Sequence, residues 1–218
     1  MNLEKYQQYS RIARGLEKAD LVLKDARIVN VFTEEIIRGD IAIQDGIIAG
    51  IGSFHGKEER DLAGRYVCPG FIDSHLHLES TLVTPAELVT AASRHGTTTF
   101  IVDPHESANV SGLAGVDYIL DQTENVKANV YVMMPSCVPA TAIDDNGCTL
   151  TAGDMAPYLH NSRILGLGEV MDSISVVQGE KSMHDKLELF EGRIRDGHAP
   201  FLEEGDLQAY AMAGIATD

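Results

Sequence analysis

Two histidines stand two residues apart in "PGFIDSHLHLES", residues 69–80. His75 and His77 follow the apolar pair Phe71–Ile72, a context suited to a strand. In extended backbone, side chains two apart share a face. Two neutral imidazoles so placed can hold one divalent ion. Taken alone, an HxH pair is as readily two surface or core histidines; its position behind an apolar run favours ligands. Glu169 follows "ILGLG", where two glycines leave room beside it. Its two oxygens could bridge two ions, or it could cap the next helix. His198 in "RDGHAP" sits between Gly197 and Pro200, in a turn after a strand, as a ligand or as a solvated loop histidine. His105 in "DPHES" could line a pocket, bind metal or organise a loop. Glu79, Asp103, Glu106, Asp172, Asp196 and Asp218 also lie at or just past the ends of apolar runs. His55, His95, His160 and His184 read as ordinary surface residues.

Something must bring these groups together. From Cys68 onward, apolar runs alternate with helical patterns: "GFID", "TTTFIVD", "NVYVMMP", "ILGLGEV", "GRIRDGH" and "GIATD". They recur roughly every thirty residues, the period of a parallel sheet with helical crossovers. Uniformly apolar runs suit strands covered on both faces. In such folds chemistry gathers at the C-terminal strand ends. The expected class is α/β: an incomplete metal-dependent (β/α) barrel of about six strands over 68–218. A small β-rich domain over 1–67 comes before it. That first part opens with a helix over 3–18, with Leu3, Tyr6, Ile12 and Leu16 inward, followed by hairpins.

The chain has 218 residues, with 33 acidic against 17 basic and a net charge of −16. Such a surface repels phosphate backbones, so nucleic acid is not an expected partner. Three scattered cysteines, Cys68, Cys137 and Cys148, with no CxxC, give no support to a zinc ribbon or a thioredoxin-type site and suit a reducing cytoplasm. No run is long and apolar enough for a membrane span, and the N-terminus has no signal-peptide core. GxSxG, P-loop and GxGxxG contexts are absent, which removes support for serine acyl transfer and phosphate-loop chemistry.

"GFIDSHLHLESTLVTP", "HGTTTFIVDPHESANV", "LGLGEVMD" and "DGHAP", in this order, resemble the adenine deaminase family of the amidohydrolase superfamily. The resemblance runs from about residue 20 to the end. It implies two divalent ions, manganese or iron, with His75, His77, Glu169 and His198 as ligands and Glu169 as bridge. Relatives that bridge with a carboxylated lysine are disfavoured, since "RILGLGEVMD" has no lysine. The implied reaction is adenine plus water to hypoxanthine plus ammonia. Catalytic roles fall to Glu169 and Glu79, with His105 and Glu106 touching substrate or supporting the site. The family continues past "GIATD" with further strands and ligands and completes the small β domain as a sandwich. The chain is therefore expected to be an N-terminal portion, open-edged and prone to associate with copies of itself. Two other readings stay open: another cyclic amidohydrolase of the superfamily, or an inactive chain serving as a non-enzymatic partner.

Overall fold

The structure, a computed structural model, describes residues 1–141 and 143–217. The chain divides into two units, Met1–Pro69 and Gly70–Asp218.

In the first unit, α1 (Leu3–Ala13) is capped by Asn2, whose side chain accepts from the Lys5 N–H. The helix stops short of the expected residue 18 because Gly15 takes a left-handed φ of 70°. Only Ile12 of the four expected inward residues is buried; Leu3, Tyr6 and Leu16 are exposed. Ile12 seats the helix in the core, and the Tyr9 hydroxyl donates to Asp45 at 3.0 Å.

The sheet behind α1 runs β3–β2–β1–β4, with β5 also on β1. Its strands are β1 (Ala19–Asn30), β2 (Glu35–Gln44), β3 (Ile47–Gly52), β4 (Gly56–Asp61) and β5 (Tyr66–Val67). Hairpins join β1 to β2 and β2 to β3, but β4 and β5 run parallel to β1. The β2–β3 turn is Asp45–Gly46, both at positive φ, the backbone that a two-residue hairpin requires. Asp40 on β2 is buried and pairs with Lys24 on β1, while the Phe54 and Asp25 N–H groups donate to its two oxygens at 3.1 Å each.

The second unit is a five-stranded parallel sheet in the order β10–β9–β8–β7–β6. In chain order its elements are β6 (Phe71–Leu76), α2 (Pro85–Ser93), β7 (Thr97–Val102), α3 (His105–Ser111) and α4 (Leu113–Gln122). There follow β8 (Asn129–Pro135), α5 (Ala152–Met155), β9 (Ile164–Val170), α6 (Ser173–Gln178), α7 (Lys181–Leu189), β10 (Ile194–Gly197) and α8 (Glu204–Met212). Adjacent strands are sequential, as βαβ crossovers laid side by side produce. The sheet is the curled half-barrel expected of an incomplete (β/α) barrel.

Burial follows strand position. Of the three inner strands, β8 and β9 are almost wholly covered and β7 only in part. The outer strands expose Phe71, Ile72 and Ile194. Phe100, Ile119, Phe190 and Leu167 anchor the core between sheet and helices. The sixth expected strand, at "GIATD", forms no ladder through Thr217, and Asp218 lies outside the described residues. Residues 215–217 nevertheless run beside β10, where Thr217 Oγ1 donates to Asp196. A side-chain bond takes the place of the backbone ladder there. Among the described residues no helix is long and apolar enough to cross a membrane.

The Asp40 cluster gives a direct check on the first unit. Burial alone would raise its pKa, but Lys24 and the two N–H donors outweigh it and hold the carboxyl below its usual range. Its stabilisation is therefore complete at neutral pH and lost as pH falls through the folded-state pKa, below the ordinary carboxylate range. Asp40→Ala leaves two N–H donors unpaired and Lys24 with the Phe54 carbonyl as its remaining partner, and should cost about 1–3 kcal/mol at pH 7. Denaturant unfolding that shifts by less than about 0.5 kcal/mol would refute this account.

Candidate metal centre

Parallel order brings the C-terminal ends of β6, β7, β9 and β10 to one rim. His75 lies in β6 and His77 just past it. Asp103 follows β7, and His105 opens α3. Glu169 is next to last in β9; Asp196 is next to last in β10, and His198 follows it.

Strand alternation turns His75 and His77 to the same side. Their ring centroids are 5.0 Å apart and their Nε2 atoms 3.2 Å apart. Glu169 closes the group, with Oε1 3.2 Å from His75 Nε2 and Oε2 3.2 Å from His77 Nε2. The far nitrogens face acceptors. His75 Nδ1 is 3.3 Å from Asp196 Oδ2. His77 Nδ1 is 2.8 Å from the Asp103 carbonyl and 3.2 Å from Glu106 Oε2. A neutral imidazole donating from Nδ1 presents a lone pair at Nε2. Two such lone pairs and two carboxylate oxygens then converge, which a cation makes favourable. Ligands bound at about 2.1 Å lie about 3.0–3.4 Å apart around tetrahedral or octahedral ions. The three Nε2 and Oε separations match that spacing.

A second group shares Glu169. Asp103 and His105 are buried, at 1% and 5% exposure. His105 Nδ1 lies 2.5 Å from Asp103 Oδ1 and 3.7 Å from Glu169 Oε2. The room left by the glycines of "ILGLG" is filled by the fold itself. A Cβ on Gly168 would come 2.1 Å from Asp103 Oδ2, and one on Gly166 2.1 Å from the Ile194 carbonyl.

Glu79 and Glu106 form a third group around His77. Glu79 accepts from the Ser107 N–H at 3.2 Å, and Glu106 accepts from Ser80 Oγ at 3.0 Å. Burial, with the Glu106 carboxylate beside it, pushes the Glu79 carboxyl up to about 7. Glu106 takes the opposite shift: partial burial works to raise it, but hydrogen bonding with Glu79 and the charge of His77 outweigh this and lower it. The two carboxyls thus shift in opposite directions, Glu79 up and Glu106 down. For His77 burial acts to lower the pKa, and the carboxylates of Glu106, Glu169 and Asp103 reverse this and raise it.

His198 is exposed, with its backbone N–H donating to the Tyr210 hydroxyl at 3.1 Å. Its ring joins none of the three-ligand groups among the described residues. It lines two clefts of about 570 and 670 Å³, both of which include Glu169. Behind the site, Ser136 Oγ donates to the Glu169 carbonyl at 2.6 Å, and the buried Lys186 ammonium donates to the Ser136 carbonyl at 2.7 Å. Sequence reading placed Asp103 and Asp196 at strand ends without giving either a partner. The D-x-H spacing of Asp103 and His105, which repeats the interval of His75 and His77, was the available signal. Ser136 and Lys186 left none.

The amidohydrolase family model matches residues 66–216. The chain is 57% identical over its whole length to an adenine deaminase of Desulfitobacterium hafniense (strain Y51), of which it covers 38%. It is 49% identical over 94% of its length to an adenine deaminase of Clostridium acetobutylicum, covering 36% of that protein. It therefore spans somewhat over a third of these curated relatives. Among solved structures, N-acyl-D-glutamate deacylase from Bordetella bronchiseptica, complexed with zinc and a phosphonate inhibitor, superimposes with a TM-score of 0.59 at 18% identity. That alignment covers 92% of this chain and 51% of the deacylase, and it speaks to the fold.

The glycine packing can be tested without any ligand. Gly168→Ala drives a methyl into the Asp103 carboxylate, which has little space to withdraw, and should cost about 1–3 kcal/mol. Gly153→Ala in α5, where the nearest atom is 3.6 Å away, should be neutral or stabilising by up to about 1 kcal/mol. Indistinguishable thermal melts for the two variants would remove the packing argument.

Proposed function

The chain belongs to the amidohydrolase family, and we propose that it carries the metal-binding part of an adenine deaminase. The intact protein would convert adenine and water to hypoxanthine and ammonia. The observation that carries this reading is the convergence of His75 Nε2, His77 Nε2 and both Glu169 oxygens at 3.2 Å separations. The named relatives supply the substrate.

In this reading His75, His77, Glu169 and His198 would hold two divalent ions. Imidazole and carboxylate donors together suit manganese or iron. Bound cations there would supply Lewis acidity, making water acidic enough to react near neutral pH. Asp196 and the Asp103 carbonyl fix the tautomers of His75 and His77, so that both Nε2 lone pairs stay available. The clefts on either side of Glu169 have the volume of a small-ligand site. His105 and Glu106 form part of one wall, against the purine. As the C6–O bond forms and the C6–N bond breaks, a proton must pass from water to the departing amino nitrogen. Glu79, raised to about 7 by burial and by the neighbouring Glu106 carboxylate, is the group assigned to take and return that proton, reaching the cleft through Glu106. The first unit would form part of a composite β-sandwich. The protein would work in cytoplasmic purine salvage and associate with copies of itself.

The test uses the intact protein and adenine, with ammonia release as the readout. Chelation should abolish turnover, and manganese or iron should restore it. Glu79→Gln should lower kcat by roughly 10²–10⁴ while leaving the metal content unchanged. Hydrolysis of hydantoin or dihydroorotate with no ammonia from adenine would reject the reading.

A further inference from the structure

We propose that Asp103, His105 and Glu169 form a cation seat of their own, on the β7 side of Glu169 and apart from the ligand set His75, His77 and His198. The inference rests on the metal-dependent reading above and extends it to two residues outside that ligand set.

The first argument is one of unmet valence. Both Asp103 oxygens and both His105 ring nitrogens are buried without a hydrogen-bond partner. A carboxylate so enclosed is costly unless something positive stands beside it. No lysine or arginine among the described residues forms an ion pair with Asp103, Glu106, Glu169 or Asp196; only histidines do.

The second argument is one of direction. His105 Nδ1 and Asp103 Oδ1 are 2.5 Å apart, yet neither counts as hydrogen-bonded. They have the distance of a hydrogen bond without its alignment. The two separations from His105 Nδ1, 2.5 Å to Asp103 and 3.7 Å to Glu169, lie below and above the roughly 3.0–3.4 Å found around an ion with bonds of about 2.1 Å, so the ring must turn from Asp103 toward Glu169 for all three to share one ion. Ligand atoms from the three residues lie within 4.8 Å of one another.

The third argument is that the fold reserves the place. Gly168 lets the Asp103 carboxylate lie against the β9 backbone, next to the residue that shares the seat. Asp103 also fixes the outer group through its backbone, since its carbonyl faces His77 Nδ1 at 2.8 Å. One residue thus serves one group with its main chain and the other with its side chain.

The experiment is a count of manganese per chain in the intact protein after dialysis, by elemental analysis, with circular dichroism to establish folding. Asp103→Asn and His105→Gln should each remove one equivalent relative to the parent protein. Should either fail to fold, the triple variant His75→Ala/His77→Ala/His198→Ala leaves this seat as the intact one and should retain one equivalent. Unchanged manganese in a folded Asp103→Asn protein, or none in the triple variant, overturns the proposal and makes Asp103–His105 a buried ion pair only. Ammonia release from adenine is followed in parallel on the parent protein. Turnover with undiminished metal in Asp103→Asn rejects the seat alone. Loss of one equivalent in a protein that never deaminates adenine rejects the deaminase reading alone.

Discussion

Two imidazole lone pairs and a carboxylate meet at the rim of the parallel sheet, brought within 3.2 Å of one another by the fold around them. Four carboxylates, Asp103, Glu106, Glu169 and Asp196, surround three imidazoles, and histidine protons are the only positive charges the described side chains pair with them. Gathered at a partly buried rim, these like charges repel one another. The surrounding structure holds them in place despite that repulsion. Strand hydrogen bonds fix the backbones, the core fixes the strands, and the Ser136 and Lys186 bonds fix the carbonyl of Glu169. Such preorganised repulsion is what a cation site needs, because binding then relieves a strain already present.

Sheet order follows from the same demand. Residues far apart in the chain can share one ion only if their strands end at one level. Parallel strands joined by helices achieve this with no special loop. Small residues then set how closely the ends approach. Gly166 admits the β10 backbone and Gly168 admits Asp103. "ILGLGEV" thus sets the spacing of two neighbouring strands while presenting the central carboxylate.

Much of this could be read from the residues. The HxH pair, the alternation of apolar runs with helical patterns, and the acid after "ILGLG" all reflect local rules of side-chain direction and strand period. The job of Asp196 could not be read, because its partner His75 is 121 residues away. The glycines were taken to leave open space, and only packing across three strands reveals that Asp103 fills it. The helix expected to residue 18 ended early because a left-handed Gly15 outweighed a fortuitous apolar spacing. Parallel pairing of β4 and β5 with β1 was likewise invisible, since strand sequence does not encode the direction of a neighbour. Residues 215–217, expected as strand, bind β10 through a hydroxyl instead.

The 121-residue interval between His75 and Asp196 has a consequence in time. At ribosomal rates of about 5–20 residues per second, roughly 6–24 s separate the synthesis of the two. Through that interval the nascent chain displays an imidazole pair whose orienting carboxylate does not yet exist. Imidazole alone ranks cations by the general affinity order, which favours copper and zinc over manganese and iron. The oxygen ligands that favour harder ions, Glu169 above all, are translated later. A preference for harder ions can therefore arise only after Glu169 has been made and the sheet has brought it to the imidazole pair.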